Sequence, residues 1–194
     1  MRRLVGVVIA LATAVGVGAG VGLHLALGSG DARPSLALPA LHGQAVWSAG
    51  RRPAPGFALR DQDGRLVSLA GEHGRPVVVA FVHSRCAQRC RMEGRLLAAA
   101  EREVAPAQRP VLLVIGASPN ANVRAWRIPG QWHLLLGSRD ALARVWHAYG
   151  VAVGRSSTPF FVIDRRGFER AGVIAPFLPP FVADDFRALA EEAA

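Results

Sequence analysis

The residues best able to do chemistry are two cysteines, Cys86 and Cys90, separated by three residues. The chain of 194 residues has no other cysteine, and chance would place two cysteines four positions apart about one time in a hundred. The pair follows the apolar, β-branched run Val77–Val82 and precedes residues with helical periodicity. The sequence therefore predicts both sulfurs in the loop and first turn of a helix, one turn apart on the same face.

This placement favours a reactive thiol pair. The N-terminus of a helix stabilises a thiolate, and three nearby arginines add positive charge, so we expect at least one thiol to have a lowered pKa. These arginines are Arg85, Arg89 and Arg91. A thiolate attacks disulfides and binds soft metal ions. The alternative is a structural disulfide, which would stabilise the fold little because it closes a very short loop.

The elements that must position the pair alternate between strand and helix. Uninterrupted apolar runs predict central strands at Val77–Val82, Val111–Ile115 and Phe160–Ile163. Apolar residues at helical spacing predict a helix after the cysteines, a second that ends at Gly150, and a last one over Val182–Glu192. The pattern indicates an α/β sandwich with a central mixed sheet.

Two tight turns predict hairpins at the two ends of this domain. Asp61-Gln62-Asp63-Gly64 separates two short apolar segments and predicts an N-terminal β-hairpin, because Asp-Gly supplies the positive φ that such a turn needs. Asp164-Arg165-Arg166-Gly167 predicts a second hairpin after the strand Phe160–Ile163.

The N-terminal region predicts a membrane anchor. Leu4–Gly28 carries no formal charge and is long enough to span a bilayer, and Arg2 and Arg3 before it place the N-terminus in the cytoplasm. The alternative is a cleaved signal peptide with a site at Ala26-Leu27-Gly28. We therefore divide the chain into an anchor (1–28), a flexible tether with some local order near its end (29–52) and one extracytoplasmic domain (53–194).

Composition and motifs exclude several other functions. All 23 basic residues are arginines and the net charge is +9, but the arginines are scattered and alternate with acids, so we do not expect nucleic-acid binding. The sequence contains no phosphate-binding loop, no zinc-protease motif and no nucleophile elbow. The cysteine pair is left as the candidate for chemistry.

Several segments together resemble the SCO/SenC family of membrane-anchored, thioredoxin-fold copper and redox proteins, in which the two cysteines are likewise separated by three residues. The matching segments are 55–64, 79–90, 132–151 and 159–164. The resemblance implies a thioredoxin-like three-layer sandwich behind an extracytoplasmic anchor. It also implies one copper ion held by Cys86, Cys90 and a histidine, and a role in maturing the copper centre of cytochrome oxidase.

The chain departs from this family at the histidine. Where the family places that ligand, just before the strand Phe160–Ile163, this chain has Arg155-Ser156-Ser157-Thr158-Pro159. Thr158-Pro159 is instead similar to the cis-proline element of thioredoxins and peroxiredoxins, and Pro159 offers no side-chain ligand. The departure favours thiol–disulfide exchange over copper carriage.

Other residues are weaker candidates for the missing ligand. His83 lies three residues before Cys86, but the end of a strand predicts a hydrogen-bonded or exposed histidine. Met92 is a soft donor near Cys90, although a methionine in the first helical turns is usually a core residue. His133 and His147 are expected to be surface or capping residues.

We therefore expect a thiol–disulfide oxidoreductase in which Cys86 attacks, Cys90 resolves the mixed disulfide, and Pro159 shapes the groove for an extended partner chain. The partners are extracytoplasmic protein thiols or disulfides, and the resemblance implies a cytochrome oxidase subunit among them. One alternative is a copper chaperone that holds Cu(I) between the two thiolates and needs no histidine. Another is a non-catalytic tethered adaptor in which the cysteines form a structural disulfide.

Overall fold

The computed structural model describes residues 41–83, 87–120, 129, 131–152 and 159–192. All of them belong to one unit, Pro39–Ala194. The anchor expected at 1–28 and the first part of the expected tether lie outside the described residues. Within the described ranges, no helix has both the length and the apolar character needed to cross a membrane.

Eight strands and three α-helices occur in the described part of the chain. The strands are β1 (Ala45–Val46), β2 (Ala58–Arg60), β3 (Leu66–Ser68), β4 (Val77–Val82), β5 (Val111–Gly116), β6 (His133–Leu135), β7 (Phe160–Ile163) and β8 (Glu169–Val173). The helices are α1 (Ala87–Arg102), α2 (Arg139–Ala148) and α3 (Pro179–Glu191), and short 3-10 turns cover Leu69–Glu72 and Pro106–Gln108.

Within the described ranges, six strands form one mixed sheet in the order β1-β8-β7-β4-β5-β6, and β2 and β3 form a separate hairpin. The central strand β4 runs parallel to β5 and antiparallel to β7. The expected α/β fold with a central mixed sheet is confirmed. Strands β4 and β7 have the predicted bounds because continuous apolar, β-branched runs suit a strand covered on both faces.

Alternation along the strands divides the core into two layers. On one face, Val78 and Val162 pack with residues of α1 and α3, such as Leu97 and Phe186. On the other face, Val77, Val79, Phe81, Phe161 and Ile163 pack with Leu142, Val145 and Trp146 of α2 and with the β2–β3 hairpin. The sheet therefore lies between two helical layers, as the resemblance to thioredoxin-like proteins implies.

The capping and turn residues at the ends of the helices and strands act as the sequence predicts. The Ser138 hydroxyl accepts a hydrogen bond from the Ala141 amide at 3.2 Å and caps α2. Gly150 follows this helix with φ +66°, and Gly167 turns the β7–β8 hairpin with φ +86°. Both hairpins predicted from the sequence are present.

The β2–β3 hairpin covers the outer edge of β6. The backbone of Arg60 both donates to and accepts from Leu136, at 3.2 and 2.7 Å. The Gln62 side chain accepts from the Leu134 amide at 2.7 Å and donates to the Trp132 carbonyl at 3.2 Å. Four backbone groups on the outer side of β6 thus have partners in the hairpin.

The other edge of the sheet is formed by residues of the segment expected to be a tether. Ala45 and Val46 form β1 and pair antiparallel with β8. The Trp47 amide donates to the Arg170 carbonyl at 2.9 Å, and Pro53 bridges Phe168. The residues around Trp47 are therefore ordered against the sheet.

Candidate active site

The elements around Cys90 meet at one end of the central strands. Ala80 of β4 pairs with Phe160, the first residue of β7, so the carboxyl end of β4 adjoins the amino end of β7. Helix α1 begins at Ala87, five residues after β4 ends. We call this end of the sheet, with the first turns of α1, the cysteine edge.

Cys90 lies in the first turn of α1 and is 5% exposed. It packs in the same apolar cluster as Val82 and Phe160, and it is disulfide-bonded. Cys86, the chain's other cysteine, lies outside the described residues. The buried position of Cys90 suits the resolving role predicted for it, and the greater exposure expected for Cys86 stays a prediction.

Pro159 stands directly before β7 and is half-buried. Because Phe160 pairs with Ala80, Pro159 lies at the cysteine edge. The preceding Thr158 lies outside the described residues, so the isomer of the Thr158–Pro159 bond stays a prediction.

The three histidine candidates for the missing ligand lie in different surroundings. His83 is buried, with its ring 6.1 Å from that of Trp146, and Trp146 belongs to the core layer opposite the one that contains Cys90. His133 Nδ1 lies 3.0 Å from a carboxylate oxygen of Asp61. His147 is exposed on α2.

Met92 is not the core residue that its position in the sequence suggested. It is 37% exposed, because a residue two positions after Cys90 faces roughly the opposite side of a helix. Around it, Arg89 and Arg95 are exposed and Arg91 is half-buried. The solvent face of the first turns of α1 is therefore basic with one soft apolar side chain.

Glu93 is the residue at this site that the sequence reasoning missed. It is half-buried three residues after Cys90, and its Oε1 atom is buried without a hydrogen-bond partner in the described structure. Burial raises the pKa of the Glu93 carboxyl to about 7, although the positive charge of Arg89 acts to lower it. A sequence signal did exist: Glu93 shares the inward helix face of Cys90 and Leu97.

Exposed apolar side chains follow β8 at the same edge. Val173, the last residue of β8, pairs with Phe160, so the chain leaves the sheet at the cysteine edge. Beyond it Ile174, Leu178 and Phe181 are 41%, 60% and 48% exposed. These side chains lie near the start of α3, which packs against α1.

The chain matches one family over most of the domain just described. The match covers residues 51–170. The chain belongs to the AhpC/TSA family. A curated relative, the chloroplastic peroxiredoxin Q of Oryza sativa subsp. japonica, is 51% identical over 49 residues. This chain spans 23% of the length of that relative.

Solved structures of Sco proteins share the fold. Yeast Sco1 with copper bound has a TM-score of 0.64 and 17% identity, over 73% of this chain and 94% of that one. BsSco, described as a Sco-family cytochrome c oxidase assembly protein with a disulfide switch, has a TM-score of 0.59 and 14% identity, over 77% of this chain and all of that one. A thiol-disulfide oxidoreductase domain from Bacteroides vulgatus has a TM-score of 0.54 and 18% identity, over 73% and 96%. The expected resemblance to Sco proteins is confirmed at the level of the fold.

The sequence lacks, at the expected position, the histidine of the three-ligand copper site that the resemblance implies. Among the described residues, no group of three histidines, cysteines or carboxylates could hold a metal ion. The segment 155–158, where the family has its histidine, reads Arg-Ser-Ser-Thr. The donors in this chain that match the family set are therefore the two sulfurs, and these become thiolates only after the disulfide is reduced.

Proposed function

We propose that this protein is a Sco-like thiol–disulfide exchange protein whose Cys86–Cys90 pair reacts with an extracytoplasmic client. The observation that carries the proposal is the disulfide-bonded, buried Cys90 in the first turn of α1, at the cysteine edge of a thioredoxin-like fold. The proposal is supported by the C-x₃-C spacing and by the solved Sco protein that contains a disulfide switch.

The exchange proceeds through a mixed disulfide. In the direction that reduces a client, the Cys86 thiolate attacks one sulfur of the client disulfide, and the other client sulfur leaves with the electron pair. Cys90, as a thiolate, then attacks the Cys86 sulfur. The Cys86–client bond breaks, the client leaves as a dithiol, and the protein keeps the two sulfurs as a disulfide. The reverse sequence oxidises a client dithiol.

The client proposed from the Sco resemblance is the cysteine pair of the oxidase copper site, and the setting is cytochrome oxidase assembly. An extracytoplasmic domain held by a single N-terminal membrane anchor would meet such a client at the outer face of the membrane. Pro159, half-buried at the cysteine edge, would form part of the groove that receives the client's extended chain.

Trapping the mixed disulfide tests this function. In the full-length chain, Cys90→Ser leaves Cys86 to attack but removes the resolving thiol, so the client should stay attached as a complex that a reductant releases. The matched control Cys86→Ser keeps a single cysteine at the buried position and should trap far less. Equal trapping by both variants, or none by either, would refute the exchange and support the static adaptor.

Copper carriage is the second candidate, because yeast Sco1 has been solved with copper bound. Two thiolates can hold Cu(I) in linear coordination without a histidine. Titration of the reduced full-length chain with Cu(I) against a chromogenic chelator tests this candidate. One copper retained by the unsubstituted chain and lost in both Cys86→Ser and Cys90→Ser would establish it, and loss of copper to the chelator from all three would remove it.

A further inference from the structure

We propose that the cysteine edge docks a client segment that carries acidic residues beside its cysteine and an apolar side chain a few residues further on. This inference rests on the exchange function proposed above and names the class of client that the site prefers. The docking surface has a basic part on the first turns of α1 and an apolar part around the start of α3. We call the two parts together the client surface, and its residues are Arg89, Arg91 and Arg95 with Ile174, Leu178 and Phe181.

The apolar part of the client surface continues from the core cluster that contains Cys90. Within that cluster the centroid of the Phe160 ring lies 5.2 Å from that of Phe177, in an edge-to-face arrangement. Leu178 follows Phe177 directly and is 60% exposed. Helix α3 begins six residues after β8 leaves the sheet at the cysteine edge, and it packs against α1. The exposed apolar side chains therefore lie next to the start of the helix that carries Cys90.

The Phe181 ring is held in place although its side chain is half-exposed. The His42 ring stacks on it, with the two centroids 4.9 Å apart and an angle of 7° between the ring planes. His42 Nδ1 in turn lies 2.8 Å from Oδ1 of the buried Asp185. A side chain that is already fixed loses little conformational entropy when a partner covers it. Phe181 is therefore a preorganised apolar contact for a client.

The charges at the cysteine edge are mostly of one sign. The segments 117–131 and 151–159, which follow β5 and precede β7, contain three arginines and no acidic residue. Glu93 is the one acidic residue in the first three turns of α1, and its Oε1 atom is buried. On α3, the exposed Asp184 is paired with an arginine of the same helix. Acidic groups of a client therefore meet a net positive potential here, which favours encounter and disfavours a basic client.

A short extended segment can reach both parts of the client surface. The axes of packed helices lie about 8–10 Å apart, and α1 and α3 pack against each other. An extended chain advances about 3.3 Å per residue. A segment whose cysteine lies at the start of α1 therefore brings a side chain about three residues further on to the start of α3.

The test uses synthetic peptides as clients of the full-length Cys90→Ser chain, in which Cys86 is the single cysteine. Each peptide carries its cysteine as a mixed disulfide with thionitrobenzoate. The Cys86 thiolate attacks the peptide sulfur, the bond to the thionitrobenzoate sulfur breaks, and this coloured thiolate leaves with the electron pair, so that its absorbance gives the rate. The first peptide has glutamates on both sides of its cysteine and a leucine three residues beyond it. The second has lysines in place of the glutamates, and the third has serine in place of the leucine.

We expect the glutamate peptide to react on the order of 10 times faster than the lysine peptide at about 0.15 M salt. The two rates should converge at about 1 M salt, because the screening length falls from about 8 Å to about 3 Å. Replacing the peptide leucine by serine should slow the reaction about three- to tenfold, because the leucine is buried against the apolar part.

Variants of the chain locate these two preferences. Arg95→Glu should reduce the preference for glutamate over lysine, and Leu178→Ser should remove the preference for leucine over serine. Leu178 is the N-cap residue of α3, where serine is well tolerated. The matched controls are Arg144→Glu on α2 and Leu66→Ser on β3, which make the same changes at exposed positions away from the cysteine edge and should keep both preferences. Dividing each rate by that for the mixed disulfide of mercaptoethanol and thionitrobenzoate cancels changes in the reactivity of Cys86.

Equal rates for the three peptides would overturn the inference, while the exchange function would stand. Failure of Cys90→Ser to release thionitrobenzoate from any peptide or from the small disulfide would overturn the exchange function itself. Two other results would assign the client surface to a different occupant and would also overturn the inference. These are unchanged peptide preferences in Arg95→Glu and Leu178→Ser together with lost binding to phosphatidylglycerol vesicles, or together with conversion of a dimer to a monomer in sedimentation.

Discussion

Replacing Glu93 by glutamine should change the stability of the oxidised protein in a pH-dependent way. Burial raises the pKa of this carboxyl in the folded state from 4.5 to about 7. A raised folded pKa means that the folded state holds the proton more tightly than the unfolded state. The stabilisation is fully present below pH 4.5 and is lost as the pH rises through 7. Glutamine does not titrate, so Glu93→Gln avoids this loss.

The size of this pH-dependent change in stability follows from the pKa shift of Glu93. A difference between 4.5 and about 7 would correspond to about 3 kcal/mol for a fully buried group. Glu93 is only half-buried, so solvent screening reduces the expected effect to about 1–2 kcal/mol. We expect the stability of Glu93→Gln relative to wild type to be higher at pH 8 than at pH 5 by that amount.

Urea denaturation of the oxidised full-length chain at the two pH values measures this difference, with the m-value as a check on compactness. Taking the difference between pH values removes any fixed cost of placing an amide at this position. The exposed control Glu103→Gln should show no comparable change between pH 5 and pH 8. An equal effect of Glu93→Gln at both pH values would refute the argument that burial holds this carboxyl protonated.

Three further substitutions test the packing around the site. Trp146→Ala should cost about 3–5 kcal/mol in urea unfolding, because the side chain is 1% exposed, and a loss below 1 kcal/mol would contradict its place in the core. Gly167→Ala should cost at least about 1–2 kcal/mol, since φ is +86° and the new Cβ would lie 2.6 Å from His73 Nε2. This loss of stability should be smaller in a His73→Ala background. An unchanged loss would exclude a steric clash between the new Cβ and His73. Burial opposes ionisation of Asp61, but hydrogen bonds, the strongest from His133, hold its pKa below the usual value. The contribution of the ionised Asp61 carboxylate to the free energy of unfolding is present at neutral pH and is lost as the pH falls through that pKa. Asp61→Asn should therefore weaken the acid dependence of unfolding, and an unchanged acid profile would contradict this account.

The sequence predicts best those elements whose pattern is continuous and local. β4 and β7 have the predicted bounds because their residues are apolar without interruption and suit a strand in any packing. β1 was not predicted, since it has two residues and owes its strand geometry to β8, with which it pairs. Two-residue runs carry no periodicity that a sequence could reveal.

The candidate site likewise contains residues that the sequence predicted and residues that it did not. The spacing of Cys86 and Cys90 predicted a redox pair, and the structure places Cys90 in the first turn of a helix beside the central strands. Glu93 was missed because a charged residue in a helix is ordinarily solvent-exposed, and its burial depends on how α1 lies on the sheet. Met92 was expected in the core because an apolar side chain is ordinarily buried. Helical periodicity instead places it opposite Cys90.

The hairpin on β6 also determines where a second chain could join the sheet. Backbone groups on the outer side of a terminal strand are templates for strand addition, which leads to domain exchange or aggregation. Arg60 and Gln62 occupy such groups on β6 with four hydrogen bonds. At the other end of the sheet, β1 is two residues long and exposed. Among the described residues, β1 is therefore the terminal strand whose outer side no other strand covers, and we expect strand addition by a second chain at this short segment rather than at β6.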